Sequence, residues 1–322
     1  MRKIAKRLMA VALCLWLLPM EALAAAYLIP VGQVIGLELR NDTVSVAAFD
    51  DILGSEAKEA GLQVGDEIID IDGRLIDDAQ DVRLALERSD GQVRLRILRN
   101  EKERELCLTP RITKEGPRLG VYLRQGITGI GTVTWYDPDT GTFGTLGHGV
   151  NNGKGELVEM TSGKAYSASV LSVKRGKCGE PGQLRGGVDG QQPIGDLAKN
   201  TQRGLFGTTD VGWEGTAVEV ASCEEIRTGP ATIRSTINGK EVREYSVEIL
   251  KIYPEKRAEG RNMLLRVTDP ALLETTGGIV QGMSGSPIIQ DGKLIGAVTH
   301  VLVNDPTTGY GIFIDNMLDA AA

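Results

Sequence analysis

Short strand-forming runs separated by glycine dominate this sequence and restrict what it can fold into. Glycine accounts for 41 of the 322 residues, and only 4% of the residues are aromatic. Valine, isoleucine and threonine favour strands and glycine favours tight turns, so the pattern is typical of many short strands. A mainly β fold is therefore expected, and the length allows two ordinary domains. Beyond residue 113 the runs cover 130–135, 142–146, 165–173, 216–220, 231–237, 244–252 and 263–268.

The N-terminus has the pattern of an export signal. Four basic residues among the first seven precede an apolar run over residues 8–20, and Ala22-Leu23-Ala24 forms a small-x-small site. The run is short for a membrane span, which takes about 20 residues. We assign residues 1–26 to a signal peptide cleaved after Ala24, or to a signal anchor. Either alternative exports the rest of the chain.

Charge and cysteine content exclude several classes of partner. The formal net charge of −7 argues against a nucleic-acid partner. Outside the apolar N-terminal run the cysteines are Cys107, Cys178 and Cys223, and their spacing fits neither a disulfide framework nor a zinc site. One pair, for example Cys178 with Cys223, stays open. We expect no metal and no cofactor.

Residues 27–112 have the pattern of a first globular unit. A capped helix over 55–62 is followed by a strand that ends in an Asp-Gly turn, and a second helix begins after Asp77 or Asp78. The string Ala57-x-x-Ala60-Gly61-Leu62-x-Val64-Gly65-Asp66 resembles a PDZ domain of the bacterial, circularly permuted type. The resemblance implies a groove between a strand and the second helix, where an extended peptide or a free C-terminus binds.

The carboxylate-binding loop of that groove is expected, by position, at residues 30–36. Backbone N–H groups there would hold the end of the ligand, and the predicted donors are Val31, Gly32, Gln33, Ile35 and Gly36. The alternative is that the unit only spaces the next domain from the membrane.

A serine between glycines is the most distinctive short motif of the second unit, residues 113–322. The motif Gly282-Met283-Ser284-Gly285-Ser286-Pro287 precedes a predicted hairpin with an Asp-Gly turn. Taken alone, it also fits a surface turn. Glycines on both sides would let backbone N–H groups approach a bound carbonyl, so the same loop can present a nucleophile.

The whole chain contains only two histidines, His148 and His300. His148 lies among glycines at the end of a predicted strand, and His300 ends the strand after the serine motif. An early histidine followed by a late Gly-x-Ser-Gly-x-Pro loop is the chain order of chymotrypsin-like double-barrel proteases. An α/β-hydrolase is disfavoured because Pro287 and strand formers follow the serine.

This order assigns a role to each residue of the motif. Serine is a poor nucleophile until a base takes its proton, so His148 is the predicted base for Ser284. The N–H groups of Gly282 and Ser284 are the predicted oxyanion-hole donors. Ser286 occupies the second-glycine position of the Gly-x-Ser-Gly-Gly-Pro pattern and is expected to be structural.

Spacing alone does not fix the acid of the triad. A carboxylate has to hold the tautomer of the histidine, and the candidates between His148 and Ser284 include Asp189, Asp196, Asp210 and Asp269. A position in the middle of the domain favours Asp196 or Asp210.

Longer motifs lie at 145–148, 193–196, 207–208, 268–270, 279–289, 296–301 and 303–311. Together they resemble the stage IV sporulation protein B peptidase family, and the resemblance spans the signal segment, the PDZ unit and the second unit. It implies a mainly β chain, with a PDZ domain followed by a chymotrypsin-like double β-barrel peptidase domain. It also implies His148 and Ser284 as the catalytic pair and Asp269 as the acid. His300 takes a place near the wall of the substrate pocket, without a chemical role.

The family resemblance also implies a biological task. Members are made in the forespore, are exported toward the space between forespore and mother cell, and cut themselves. They cut a regulatory membrane protein, which releases an intramembrane protease that processes the mother-cell sigma factor precursor. The expected partners are therefore a protein substrate at the membrane, a second copy of the chain, and a peptide in the PDZ groove. The alternative is an exported PDZ-containing binding protein with an inactive peptidase domain.

Overall fold

The structure is a computed structural model that describes residues 26–152, 155–254 and 260–322. The predicted targeting segment up to residue 25 lies outside the described residues. Within the described ranges, no helix has the length and apolar character needed to cross a membrane. The helices are α1 (Ser55–Glu59), α2 (Ala79–Glu87), α3 (Pro270–Thr276) and α4 (Ile314–Ala321).

Most of the described residues lie in strands. In order they are β1 (Tyr27–Pro30), β2 (Val34–Phe49), β3 (Glu67–Ile71), β4 (Arg74–Leu75), β5 (Val93–Arg99), β6 (Lys102–Leu108), β7 (Arg111–Thr113), β8 (Gly116–Arg118), β9 (Val121–Tyr136), β10 (Thr142–Thr145), β11 (Ser162–Lys174), β12 (Gln183–Thr201), β13 (Gly204–Thr208), β14 (Val218–Glu219), β15 (Gly229–Asn238), β16 (Glu241–Ile252), β17 (Met263–Val267), β18 (Pro287–Gln290), β19 (Lys293–Leu302) and β20 (Asp305–Phe313).

The C-terminal part of the chain closes into a six-stranded antiparallel barrel. Its strands follow the order β15-β16-β17-β20-β19-β18, and β18 pairs back with β15. Side chains alternate along each strand, so every second residue points into the barrel. Ile233, Val247 and Leu265 are among the buried residues that fill it.

A second closed ring of six strands precedes this barrel in the chain. It runs from β9 through β10, β13, β12, β11 and β2, and β2 pairs back with β9. Its core contains the buried side chains of Ile35, Leu39, Phe143 and Leu205. The expected mainly β fold with two barrels is therefore confirmed.

The PDZ unit extends from the first barrel through its two longest strands. β2 and β9 pair with each other twice: residues 34–39 with 127–132 inside the barrel, and residues 44–49 with 121–125 beyond it. From there β3, β5 and β6 continue the sheet. Helices α1 and α2 cover the sheet and share one apolar core with it. The PDZ unit is thus inserted between two strands of the first barrel.

The predicted limits of the first unit, residues 27–112, are wrong at both ends. Residues 27–39 belong to the first barrel, because β1 pairs with β9 and the first half of β2 pairs with β9 and β11. At the other end, the PDZ sheet continues through the first five residues of β9. Alternation of apolar and polar residues indicates a strand, but it does not determine which other strand that strand pairs with.

The predicted carboxylate-binding loop at residues 30–36 also belongs to the barrel. Two of its N–H groups donate to carbonyl groups of β9, that of Val31 to Thr134 at 3.1 Å and that of Gly32 to Val133 at 2.8 Å. Donors used in this way cannot hold a ligand carboxylate. The other predicted donors lead into or lie within β2, which is paired with β9 and β11: Gln33, Ile35 and Gly36.

Candidate active site

The serine loop lies between the two barrels, directly before β18. The partly buried Ser284 hydroxyl donates to the carbonyl oxygen of Thr299 in β19 at 2.7 Å. Ser286 is fully buried and hydrogen-bonds the hydroxyl of Ser235 at 3.1 Å. Of the two serines, only Ser284 is placed where a substrate can reach it, which agrees with the predicted roles.

The backbone around Ser284 is arranged as an anion-binding loop. Within the described parts of the chain, the N–H groups of Gly282 and Ser284 have no hydrogen-bond acceptor. Their carbonyl groups point the other way, toward Thr132 of β9. Gly282 and Gly285 have φ angles of +98° and +95°, which side-chain-bearing residues rarely adopt. Two unpaired N–H donors beside a serine form the geometry of an oxyanion hole.

His148 is held in the tautomer that a general base needs. Its Nδ1 lies 2.9 Å from the carbonyl oxygen of Gly149. A carbonyl oxygen can only accept, so Nδ1 carries the proton and the Nε2 lone pair is left available. Burial lowers the pKa of His148 below its usual 6.5, and the Gly149 bond opposes this shift only in part. The imidazole is therefore neutral, and able to accept a proton, at neutral pH.

The loop that carries His148 is tightly constrained. Leu146 has φ +70° and is the centre of a three-residue turn, in which the N–H of Gly147 donates to Thr145 at 2.9 Å. This γ-turn is rare and strained, and such strain is concentrated at functional sites. After the histidine, the Asn200 side chain accepts from the N–H of Val150 at 2.9 Å and donates to its carbonyl at 2.8 Å. Sequence reasoning did not single out Asn200.

The histidine and serine loops meet along β19. The His148 ring packs against the His300 ring, with centroids 5.4 Å apart, and the Ser284 hydroxyl binds the neighbouring residue, Thr299. His300 has a buried Nδ1 without a partner among the described residues. Burial, followed by the charges of His148 and Arg261, lowers the pKa of His300 to about 4. His300 is thus a neutral wall of the site at neutral pH.

The structure does not bring any of the four candidate carboxylates to His148. Asp269 caps helix α3 and accepts from the N–H groups of Ala271 and Leu272, each at 3.0 Å. The other three are engaged or exposed elsewhere: Asp196 pairs with Lys164, Asp189 accepts from Ser169 and Lys240, and Asp210 is exposed after β13. In this conformation the Gly149 carbonyl is the hydrogen-bond partner of the His148 ring among the described residues.

A second concave site lies in the PDZ unit. A cavity of about 580 Å³ separates helix α2 from the start of β9, and Val82, Leu86 and Leu123 contribute apolar side chains to it. In the described chain, residues 121–123 of β9 pair with β2 on one side and have no strand on the other. An extended peptide can therefore add to this edge of the sheet.

Free backbone N–H groups were predicted in a carboxylate-binding loop at residues 30–36. The loop directly before this edge of β9 has them instead. The N–H groups of Leu119 and Gly120 have no acceptor in the described residues, and Gly120 has φ +73°. A side chain at Gly120 would place its Cβ 2.1 Å from the carbonyl oxygen of Leu53. The signal in the sequence is Gly120, directly before the strand that begins at Val121.

Comparison with protein families agrees with this geometry. The family model for the SpoIVB peptidase S55 matches residues 115–318, and a PDZ domain model matches residues 52–99. The chain belongs to the SpoIVB peptidase S55 family. The S55 match includes His148 and Ser284, and the protein is a serine endopeptidase that carries a PDZ domain.

Solved structures with similarity to this S55 peptidase share little sequence with it. The active form of the Rv3671c protease from M. tuberculosis is 15% identical, with a TM-score of 0.37 over 75% of this chain and 84% of that chain. The PDZ domain of the SdrC-like protein from Listeria monocytogenes is 23% identical, with a TM-score of 0.22 over 26% of this chain and 88% of that chain. No curated protein matches the chain.

The Asp269 side chain, which caps helix α3, should contribute to the stability of this S55 peptidase. Replacing Asp269 by alanine should destabilise the second barrel by about 1 kcal/mol, because two N–H groups of α3 lose their acceptor. Asp269→Asn should unfold at nearly the parental urea concentration, since asparagine caps helices as well as aspartate does. Urea unfolding monitored by tryptophan fluorescence measures the difference.

The same two variants test the role that the family resemblance gives to Asp269. If the carboxylate serves the histidine in the working enzyme, Asp269→Asn will lose hydrolysis although its stability is preserved. Full activity of Asp269→Asn would remove Asp269 from the triad and leave the Gly149 carbonyl as the orienting group.

Proposed function

We propose that this S55 peptidase is an exported signalling endopeptidase of sporulation, acting in the space between forespore and mother cell. It cuts itself and a regulatory membrane protein, and the second cut releases an intramembrane protease that processes the mother-cell sigma factor precursor. The family match and the PDZ domain support this proposal. The observation that carries it is the serine loop: the N–H groups of Gly282 and Ser284 have no acceptor among the described residues, and the loop packs against the one that carries the neutral His148.

The geometry supports a two-step acyl transfer. The Ser284 side chain rotates from the Thr299 carbonyl toward His148, and Nε2 takes its proton as Oγ bonds to the substrate carbonyl carbon. The carbonyl oxygen, now negative, accepts from the N–H groups of Gly282 and Ser284. The C–N bond then breaks and His148 gives the proton to the leaving amine. Water repeats the sequence on the acyl-enzyme and frees Ser284.

The lowered pKa of His148 sets the pH dependence of this mechanism. Only the neutral imidazole accepts the serine proton, and a lowered pKa keeps it neutral in more acidic solution. We therefore expect the acidic limb of the kcat/KM profile to have its midpoint below pH 6.5.

The PDZ groove is the proposed site that holds protein substrates. The free edge of β9 and the unpaired N–H groups of Leu119 and Gly120 suit an extended segment that ends in a carboxylate. The groove lies outside the catalytic loops, so small substrates do not depend on it.

A single experiment with two substrates tests the peptidase and the groove together. The purified protein is given a small ester and, as a protein substrate, the Ser284→Ala form of the same chain, which cannot cut itself. Ala79→Trp places a large side chain from α2 into the groove, and Gln80→Trp places it on the same helix away from the groove. We expect Ala79→Trp to cut the protein substrate about tenfold more slowly and to hydrolyse the ester at the parental rate.

Gln80→Trp should behave like the parent with both substrates. Equal losses on ester and protein substrate in Ala79→Trp would contradict the groove role, and absence of ester hydrolysis in the parent would contradict the enzyme. In sporulating cells, Ser284→Ala should block processing of the sigma factor precursor, whereas unchanged processing would refute the signalling role.

A further inference from the structure

We propose that Thr132 is the positioning residue that aligns the nucleophile loop with the histidine loop, a role that rests on the proposed peptidase function. Thr132 lies in β9 of the first barrel and is fully buried. It is in direct contact with both catalytic loops, one from each barrel. No charge or motif singles it out in the sequence.

On the serine side, Thr132 binds two carbonyl groups of the nucleophile loop. Its hydroxyl donates to the carbonyl of Gly282 at 2.8 Å, and its N–H donates to the carbonyl of Ser284 at 3.1 Å. The N–H of Ser284 belongs to the peptide unit between these two anchored carbonyls. The N–H of Gly282 belongs to the peptide unit directly before the Gly282 carbonyl. The direction of both oxyanion donors therefore depends on Thr132.

On the histidine side, the carbonyl of Thr132 accepts two hydrogen bonds. The N–H of Leu146 donates to it at 3.3 Å and the hydroxyl of Thr145 at 2.5 Å. Leu146 is the strained residue of the γ-turn that leads into His148. The two backbone groups and the hydroxyl of this single residue of β9 thus hold both the loop of the base and the oxyanion hole.

The hydroxyl is the only part of these Thr132 contacts that a side-chain substitution can remove. The backbone contacts of Thr132 persist with any residue at this position, but the bond to the Gly282 carbonyl exists only with a hydroxyl. Loss of one oxyanion donor typically lowers kcat by about 10²–10³-fold. A misdirected donor retains part of its effect, so we expect a fall of about 10–100-fold for loss of the hydroxyl.

The chain supplies a matched control two residues further along the same strand. Thr134 is also fully buried, and its hydroxyl has no hydrogen-bond partner in the described part of the chain. Residues i and i+2 point to the same face of a strand. A threonine-to-valine change is therefore chemically identical at both positions but removes a hydrogen bond only at Thr132.

The experiment compares Thr132→Val, Thr132→Ser and Thr134→Val in the full chain. Thr132→Val should lower kcat for a small ester about 10–100-fold, with KM within about twofold and the acidic midpoint unchanged. Thr132→Ser keeps the hydroxyl and should recover most of the rate. Thr134→Val should match the parent. A parental kcat in Thr132→Val, or equal losses in Thr132→Val and Thr132→Ser, would overturn the assignment.

A second measurement keeps this test separate from the proposed function. Amide hydrogen exchange of residues 280–286 should be faster in Thr132→Val and unchanged in Thr134→Val, whether or not the parent hydrolyses the ester. An inactive parent would refute the peptidase, whereas unchanged exchange in Thr132→Val would refute the positioning role.

Discussion

Replacing Ser284 by alanine should reduce hydrolysis of peptide and ester substrates by about 10⁶-fold. The alanine removes the hydroxyl that would form the acyl-enzyme, and loss of the nucleophile costs a serine protease a factor of this order. His148 and the two N–H donors remain, so the residual rate comes from binding and from the oxyanion hole. Steady-state hydrolysis of an ester, followed for hours at high enzyme concentration, measures the change.

Ser286 supplies the matched control for this experiment. It is the other serine of the loop, but it is fully buried and bound to Ser235. Ser286→Ala should cost about 1 kcal/mol of stability, as expected for one buried hydrogen bond, and should keep most of the activity. If Ser286→Ala were as inactive as Ser284→Ala, the loss in Ser284→Ala would reflect disruption of the loop and would not identify Ser284 as the nucleophile.

Local features of this fold were predictable because they depend on short-range physics. The sequence predicts a helix cap at Asp77 or Asp78, and in the structure the cap is Asp78, whose side chain accepts from the N–H of Asp81. The hairpin after Ser284 followed from Asp291-Gly292, where both residues have positive φ angles of 51° and 79°. Turn and cap residues act within four positions, so one sequence is enough to find them.

Long-range pairing was not predictable from the same patterns. The first half of β2 and all of β1 were assigned to the PDZ unit, although they pair with strands about 90 or more residues later in the chain. Alternation fixes which face of a strand is buried but not its partner. The family resemblance also placed Asp269 in the triad, whereas Asp269-Pro270 and Gly277 are start and stop signals for helix α3.

Strand β9 connects the PDZ groove with the active site and so sets the distance between them. The groove edge at Val121–Leu123 and the active-site residue Thr132 lie on the same strand, β9. Nine residues of strand span about 30 Å at roughly 3.3 Å each. A substrate whose end is held in the groove therefore reaches Ser284 only through a comparably long extended segment. The insertion of the PDZ unit thus favours cleavage well away from the bound terminus.

Replacing Gly285 by alanine should abolish both activity and the native contact between the two barrels. An added Cβ would lie 2.0 Å from the Thr132 carbonyl oxygen and 2.6 Å from the Leu146 nitrogen, so it would separate the serine loop from the histidine loop. The φ angle of +95° adds strain for any side chain. We expect a loss of more than about 4 kcal/mol, at the upper limit of single substitutions, because backbone atoms rather than flexible side chains are displaced.

Gly292 allows the clash to be separated from backbone strain. It has φ +79° in the hairpin turn after the serine, and an added Cβ would meet no atom within 4 Å. Gly292→Ala should cost only about 1–2 kcal/mol, the usual penalty of a left-handed residue, and should keep parental ester hydrolysis. Thermal unfolding and ester hydrolysis of both variants measure the difference. Near-parental values for Gly285→Ala would show that the loops do not meet at Thr132 in the working enzyme.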